Sequence, residues 1–380
     1  MENILERILH IVSGMGYGGI ETFLMNSYRI IDRDRIQFDF LLDKKEETDY
    51  TSEIRKLGGR IYHIPARHEG IFKNIRALDD FFKEHYREYK IVHMHGSSLS
   101  YIEPLKAAKK YNVPIRIMHS HSSKLAKGNY IHYFLHKFYQ RKILSYANKL
   151  FACSDKAAKW MYGFNKDQAV ILNNGIDTSR FAFNSLTRNK YRKELKLEQK
   201  FVIGHVGRFD YPKNQNRLIS IFLEVKKINP NAVLVLVGDG LLKNKVQSEV
   251  ERLKLTESVY FLGIRSDINN VMQAMDSFVF PSIYEGFPVT LVEAQTSGLS
   301  CFVSNTITKQ IKLSDLVEFI DLNQNDRVWA ELLCKSVNND RSKYCEQIRN
   351  SGYDIKVVGK EIEDFYLKLI GEWENEFKNK

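Results

Sequence analysis

The feature that most limits what this chain can become is an alternation, repeated twice, of short β-branched runs ending in Gly, Ser, His or Pro with longer stretches of helical period. Strand, crossover helix and next strand in that rhythm make βαβ units, and these build a parallel sheet. In the first half, strands are expected near Arg7–Val12, Gln37–Leu42, Arg60–Ile64, Ile91–Met94, Ile115–Met118 and Lys149–Ala152. In the second they fall near Phe201–Val206, Ala232–Val237, Val259–Leu262, Ser277–Phe280, Ser300–Val303 and Val317–Ile320. At 380 residues the chain exceeds the size at which single cores stop growing. The expectation is an α/β protein of two Rossmann-like domains, 1–184 and 185–361, parted in the polar stretch after Asn173-Asn174-Gly175-Ile176-Asp177. The final pattern, with Ile355, Val358, Ile362, Phe365 and Leu369 at helical spacing, carries more apolar surface than a frayed tail needs.

Composition narrows the class. Cys153, Cys301, Cys334 and Cys345 have no CxxC spacing, which fits neither a disulfide framework nor a thiolate metal site, so a reducing cytoplasm is expected. Glu2 and Glu6 beside a short apolar run read as a first strand, not a signal peptide. Residues 1–185 hold 29 Lys/Arg against 20 Asp/Glu, and from Pro104 to Lys166 thirteen basic residues, Lys127 among them, face one acid, Asp155. That is an anion-facing surface. With no reading helix or aromatic platform motif, nucleic acid is not expected as the partner.

Glycine loops follow several strands. Ser13-Gly14-Met15-Gly16-Tyr17-Gly18-Gly19 precedes a helical pattern, and Gly14, Gly16 and Gly19 satisfy GxGxxG with Asp43 ending the next strand. Such a loop lets backbone N–H groups approach an anion and suits a dinucleotide as well as a nucleotide sugar; a tight turn with no ligand is the alternative. After the strand at Phe201–Val206 come Gly207-Arg208 and Lys213-Asn214, where Arg can fork onto phosphate and Lys acts as a point charge. Gly238-Asp239-Gly240 follows the next strand.

The most informative stretch runs from Phe280 to Ala294. Glu285 lies in a loop after an apolar strand, Pro288 suits the first position of a helix, and Glu293 falls inside that helix. A helix N-terminus can hold phosphate while the acids accept from sugar hydroxyls. Glu285-x7-Glu293 in an EGFPVTLVEA context, with Gly207-Arg208, Lys213-Asn214 and Asn174-Gly175-Ile176-Asp177, resembles a family 4 retaining glycosyltransferase of GT-B fold, in motif order over essentially the whole chain.

The resemblance implies two domains facing across a donor cleft, with a C-terminal helix of about 362–380 crossing back to the N-terminal acceptor domain. It implies that Arg208 and Lys213 hold the donor diphosphate, Glu293 accepts from the ribose, and Glu285 contacts the transferred sugar. Backbone of Gly286, Phe287, Pro288 and Val289 would lie beside sugar and phosphate, Gly18 and Gly19 would approach the diphosphate, and Arg265 would contact the base. Pro288 departs from the commoner EGFGLP form and removes one N–H donor.

His93, His95, His119 and His121 end two neighbouring predicted strands. Four histidines can make a metal site, yet no carboxylate of ligand spacing accompanies them, and the family resembled needs none. The resemblance places His119 on the floor of the sugar pocket with His95 and His121 nearby. Asp32-Arg33-Asp34 is a DxD string, but it follows a helix pattern and reads as a surface turn.

The implied reaction moves a hexose-type sugar from a nucleoside-diphosphate sugar, UDP the expected base, to a saccharide or lipid-linked saccharide acceptor in cell-surface polysaccharide synthesis. Glu285, His119, Arg208 and Lys213 carry it, without metal or cofactor. A GT-B-fold nucleotide-sugar epimerase and then an NAD-dependent dehydrogenase are the alternatives. Lys124–Lys149 interleaves aromatic and aliphatic residues with Lys127, Lys137, Arg141 and Lys142, as an enzyme docked on the inner leaflet would. A domain helix with its apolar face in the core and a solvated basic face is the other reading.

Overall fold

The structure, a computed structural model, describes residues 5–16, 18–124, 130–335 and 340–378. Tyr17 of the first glycine loop and Lys127 of the basic segment lie outside the described residues. The chain forms two compact units, Met1–Gly175 with Ile355–Lys380, and Ile176–Asp354.

In the first unit β1 (Glu6–Val12), β2 (Ile36–Leu42), β3 (Ile61–His63), β4 (Ile91–Gly96), β5 (Ile115–Ser120), β6 (Lys149–Ala152) and β7 (Ala169–Ile171) form a sheet in the order β3-β2-β1-β4-β5-β6-β7. All its ladders are parallel. In the second, β8 (Phe201–Val206), β9 (Ala232–Val237), β10 (Val259–Phe261), β11 (Ser277–Phe280), β12 (Ser300–Ser304) and β13 (Val317–Ile320) repeat the arrangement as β10-β9-β8-β11-β12-β13. Both are doubly wound sheets whose strand order reverses once, between β1 and β4 and between β8 and β11. The expected strands are present with ends shifted by a residue or two; β7 was not foreseen, being a three-residue edge strand with Val170 and Ile171 each 38% exposed.

The helix Ile355–Lys378 belongs wholly to the first unit. Its face of Ile355, Val358, Ile362, Tyr366, Leu369 and Ile370 joins Ile8, Phe23, Tyr28, Phe38, Phe40 and Phe151 in one core. Gly359 lets it close on the helix Gly19–Ile30, since a Cβ there would meet Ile30 Cγ2 at 2.9 Å. Buried Glu363 accepts from Asp32 N at 2.9 Å and pairs with Arg35 at 3.1 Å, which pins the Asp32-Arg33-Asp34 turn.

The crossing points differ from the expected 184/185 and 361/362. The chain leaves the first unit after Gly175 because the short helix Thr178–Phe181, capped by Asp177, already packs in the second. There Ser297 Oγ donates to Phe181 O at 3.0 Å and Thr178 bonds Asp354. Ile176 bridges Asp354 in parallel, so both crossing segments are pinned together on the second unit's side. The helix then enters the first core at once, which sets its start at Ile355 and not near 362.

Truncating Ile362, only 2% exposed, to Ala is expected to cost about 2–5 kcal/mol. Urea unfolding of the Ile362→Ala protein, followed by far-UV circular dichroism, checks it.

Candidate active site

In an open parallel sheet, ligands bind beyond the carboxyl ends of the strands where the order reverses. Gly18 and Gly19 follow β1 and His95 ends β4, while Arg208 and Lys213 follow β8 and Glu285 follows β11; His119 and His121 end β5, and Arg265 follows β10.

In the second unit the loop after β8 carries Arg208 and Lys213, and the loop after β11 carries Glu285. Asn214 Nδ2 donates to Pro281 O at 3.1 Å and Ile283 N to Pro212 O at 2.8 Å, lacing the two loops together. Lys213 Nζ lies 2.9 Å from Glu285 Oε1, with each side chain only 16% exposed, and 4.7 Å from the centre of the Phe280 ring. Arg208 stands out toward solvent, its Nε 2.8 Å from Asp210 Oδ2. Gly238, with φ +132°, lets the loop after β9 close on them: a Cβ there would sit 2.3 Å from Gly207 O.

The helix after Glu285 spans Val289–Thr296. Pro288 is its N-cap and not its first residue, with φ −78° and ψ 96°; Phe287 stacks on Tyr353 at 5.1 Å. The hydroxyls of Ser282 and Thr290 are buried with no partner among the described residues. Neither was singled out in the sequence, because a lone hydroxyl gives no periodic signal. Glu293 lies in the helix's second turn. Burial pushes its carboxyl up to about 7, and Arg180 pulls the other way. Arg265 does not join Lys213 and Glu285; it follows β10, its guanidinium 2.7 and 2.5 Å from the carboxylate of Asp267.

In the first unit Gly18 is the extended N-cap of the helix Gly19–Ile30, and a Cβ on Gly16 or Gly19 would meet nothing within 4 Å. A Cβ on Gly18, by contrast, would sit 2.4 Å from Glu21 Oε2. Asp43 accepts from Ser13 Oγ at 2.6 Å beside it.

Five histidines, one more than expected, line one face of this sheet. The fifth is His10, on β1 opposite His93 of β4 in the ladder, while His95 stands opposite His119. His10 Nδ1 lies 3.0 Å from His95 Nε2, and His95 Nδ1 2.9 Å from His121 Nε2. His93 Nε2 lies 3.2 Å from His119 Nδ1, and His93 Nδ1 2.6 Å from Tyr366 Oη. Burial drives every one of these imidazoles to low pKa, His10 and His121 to about 3, so all are neutral at pH 7. The triads His10, His93, His95 and His95, His119, His121 bring ring nitrogens within 4.8 Å of one another, a spacing that admits a cation, but neither triad contains a carboxylate.

The basic segment departs from the solvated-face reading. The helix Tyr130–Lys142 buries His136 and Gln140, with His136 stacked on Trp160 at 4.2 Å. It turns Tyr130, Ile131 and Phe134 outward at 89, 72 and 70% exposure. The reason is local: Gln140 Nε2 donates to Trp160 O at 2.8 Å and His136 Nε2 lies 3.1 Å from the same oxygen, so polar groups hold the inner face.

Residues 17–180 match the family described as Glycosyltransferase Family 4, and residues 187–354 match Glycosyl transferases group 1. EpsF of Bacillus subtilis (strain 168), assigned by name to the glycosyltransferases, is 34% identical over 364 residues, covering 93% of this chain and 94% of that protein. The chain is a family 4 glycosyltransferase. At 26% identity, covering 96% of this transferase and 97% of the relative, it is also similar to the Escherichia coli UDP-Gal:alpha-D-GlcNAc-diphosphoundecaprenol alpha-1,3-galactosyltransferase. Anabaena HepE, solved with UDP and glucose, superposes with a TM-score of 0.76 at 17% identity over 94% of this transferase and 98% of HepE, which places the chain in the GT-B fold. The epimerase and dehydrogenase alternatives are set aside with that membership.

The histidine ladder makes the transferase acid-sensitive. Its native pKa values lie below the unfolded value of about 6.5, so the stability they contribute is whole above pH 6.5 and falls as pH drops toward 3. The first unit is expected to lose stability as pH falls below about 6.5, with net uptake of protons on unfolding. Calorimetric stability measured against pH checks the slope.

Proposed function

We propose that the enzyme is a retaining transferase moving a hexose-type sugar from UDP-sugar to a saccharide or lipid-linked saccharide in bacterial cell-surface polysaccharide synthesis. The observation that carries it is the Lys213–Glu285 pair at the strand-order reversal of the second unit, held at 2.9 Å. In the resting enzyme each neutralises the other. A donor diphosphate draws the ammonium to itself and frees the carboxylate to accept from the sugar's hydroxyls. Arg208, solvent-facing and bonded to Asp210, forks onto the same phosphates. Charge that develops on the departing diphosphate then meets cations already in place, so departure needs no metal and no cofactor. Glu293 accepts from the ribose, Gly286 to Val289 flank sugar and phosphate, Arg265 contacts the base, and Gly18 and Gly19 approach the diphosphate. His119, with His95 and His121 beside it, serves the sugar pocket.

Support for UDP and for a lipid-linked acceptor comes from the relatives: the E. coli enzyme is named for UDP-Gal and a diphosphoundecaprenol acceptor, and HepE was solved with UDP. UDP should raise the melting temperature, ADP and GDP should not, and Lys213→Ala should abolish the shift. A shift untouched by that substitution would exclude the assigned phosphate site.

The enzyme works on the inner face of the cell membrane in this reading. No helix among the described residues is long and apolar enough to cross a bilayer. The outward Tyr130, Ile131 and Phe134 lie on one helix with Lys137, Arg141 and Lys142, an apolar patch with a cationic rim. Sedimentation with vesicles containing phosphatidylglycerol is expected at low salt, weakened at 0.5 M NaCl. Replacing Ile131 and Phe134 by Ser should reduce it about tenfold or more.

A further inference from the structure

Two hydrogen-bonded strings of imidazole run along the first sheet, and they differ at their ends. His10, His95 and His121 form one, with His10 Nε2 and His121 Nδ1 both buried and unpartnered among the described residues. Nothing at either end decides which nitrogen of each ring carries the proton. The other string is anchored: Tyr366, on the C-terminal helix, meets His93 at 2.6 Å, and His93 meets His119 at 3.2 Å.

Counting protons orients the anchored string. If Tyr366 donates, His93 Nδ1 accepts, His93 Nε2–H donates to His119 Nδ1, and His119 must keep its own proton on Nε2. The one unmet group is then that N–H; His119 Nε2 is buried and has no protein partner among the described residues. If His93 donates to Tyr366 instead, the phenol hydrogen is left without an acceptor and His119 Nε2 becomes a bare lone pair, two unmet groups in a dry interior. The first arrangement wins, because each buried unmet group carries the full cost of its desolvation. The short 2.6 Å contact is also what an O–H donor makes. Tyr366, His93 and His119 are 1, 0 and 0% exposed, so water does not compete. Burial holds the phenol well above its usual range and it keeps its proton.

We propose that Tyr366 is a positioning residue that, through His93, fixes His119 as the neutral Nε2–H tautomer, the form that would donate to a sugar oxygen once substrate binding uncovers the buried Nε2. This rests on the reading of His119 as a sugar-pocket residue. The C-terminal helix thus sets the polarity of a group two hydrogen bonds away. His121, in the unanchored string, is free to present either tautomer and so to donate or accept.

The test is long-range proton–nitrogen correlation on protein labelled with 15N-histidine, at pH 7.5. His119, assigned by its loss in His119→Gln, should show a protonated Nε2 and a bare Nδ1. Tyr366→Phe, which keeps the ring and removes one oxygen, should convert that signal to a mixture or to the Nδ1–H form. It should slow UDP release from a panel of UDP-sugars about tenfold with KM changed less than threefold. An Nδ1–H signal in the native protein would overturn the proposal without any variant, and so would a signal unchanged in folded Tyr366→Phe. A stoichiometric metal ion in the purified protein, bound through these rings, would overturn it as well. His119→Ala separates the two readings. Transfer at the native rate there would remove His119 from the sugar site while the tautomer result stood, whereas a slow His119→Ala beside an unaltered tautomer in Tyr366→Phe would sink the relay alone.

Discussion

Between β1 and β4, and again between β8 and β11, neighbouring parallel strands send their crossovers to opposite faces, so the loops after their carboxyl ends part and leave room between them. Gly18, Gly19, His95, Arg208, Lys213 and Glu285 stand at or near such strand ends, and His119 and His121 stand at the end of the neighbouring β5. Lys213 and Glu285 meet because β8 and β11 are neighbours, although 71 residues of chain and two other strands intervene in sequence. The lacing from Asn214 to Pro281 and from Pro212 to Ile283 then makes the two loops one rigid rim.

The two units handle buried polarity differently. The second pairs Lys213 with Glu285 near the rim and buries Arg341 among the carbonyls of Ser297 and Met275. The first sinks five imidazoles into an aromatic core and pays with acid stability, since a neutral ring hydrogen-bonded to another neutral ring is tolerable in a low-dielectric interior and a charged one is not. Elsewhere in that unit the charged option appears: Asp39, fully buried, takes Arg7 at 2.6 and 2.5 Å, Tyr89 at 2.9 Å and the Arg60 amide at 2.7 Å. A carboxylate with four donors survives where a lone imidazolium would not.

Much of this was legible beforehand. Strand positions followed from β-branched runs, and Arg208, Lys213 and Glu285 stood out as charged residues after strands. What escaped detection escaped for physical reasons. β7 is short and exposed, so it lacks the apolar run that marks a buried strand. The helix at Tyr130–Lys142 has the composition of an ordinary amphipathic helix, and only the carbonyl of Trp160 shows that its polar face turns inward. His10 reads as one polar residue in a first strand, and Tyr366 as one more aromatic on a helix face.

Local patterning alone therefore determined that the chain forms two parallel α/β sheets and which residue types sit at their strand ends, because side-chain period and turn chemistry act over a few residues. Tertiary structure alone decided that His10 joins the ladder, that Tyr366 caps His93, that Lys213 faces Glu285, and that the chain changes units at Gly175 and again before Ile355. Those facts depend on strand order and on where a helix lands, and they are set by burial of apolar surface between segments far apart in the chain.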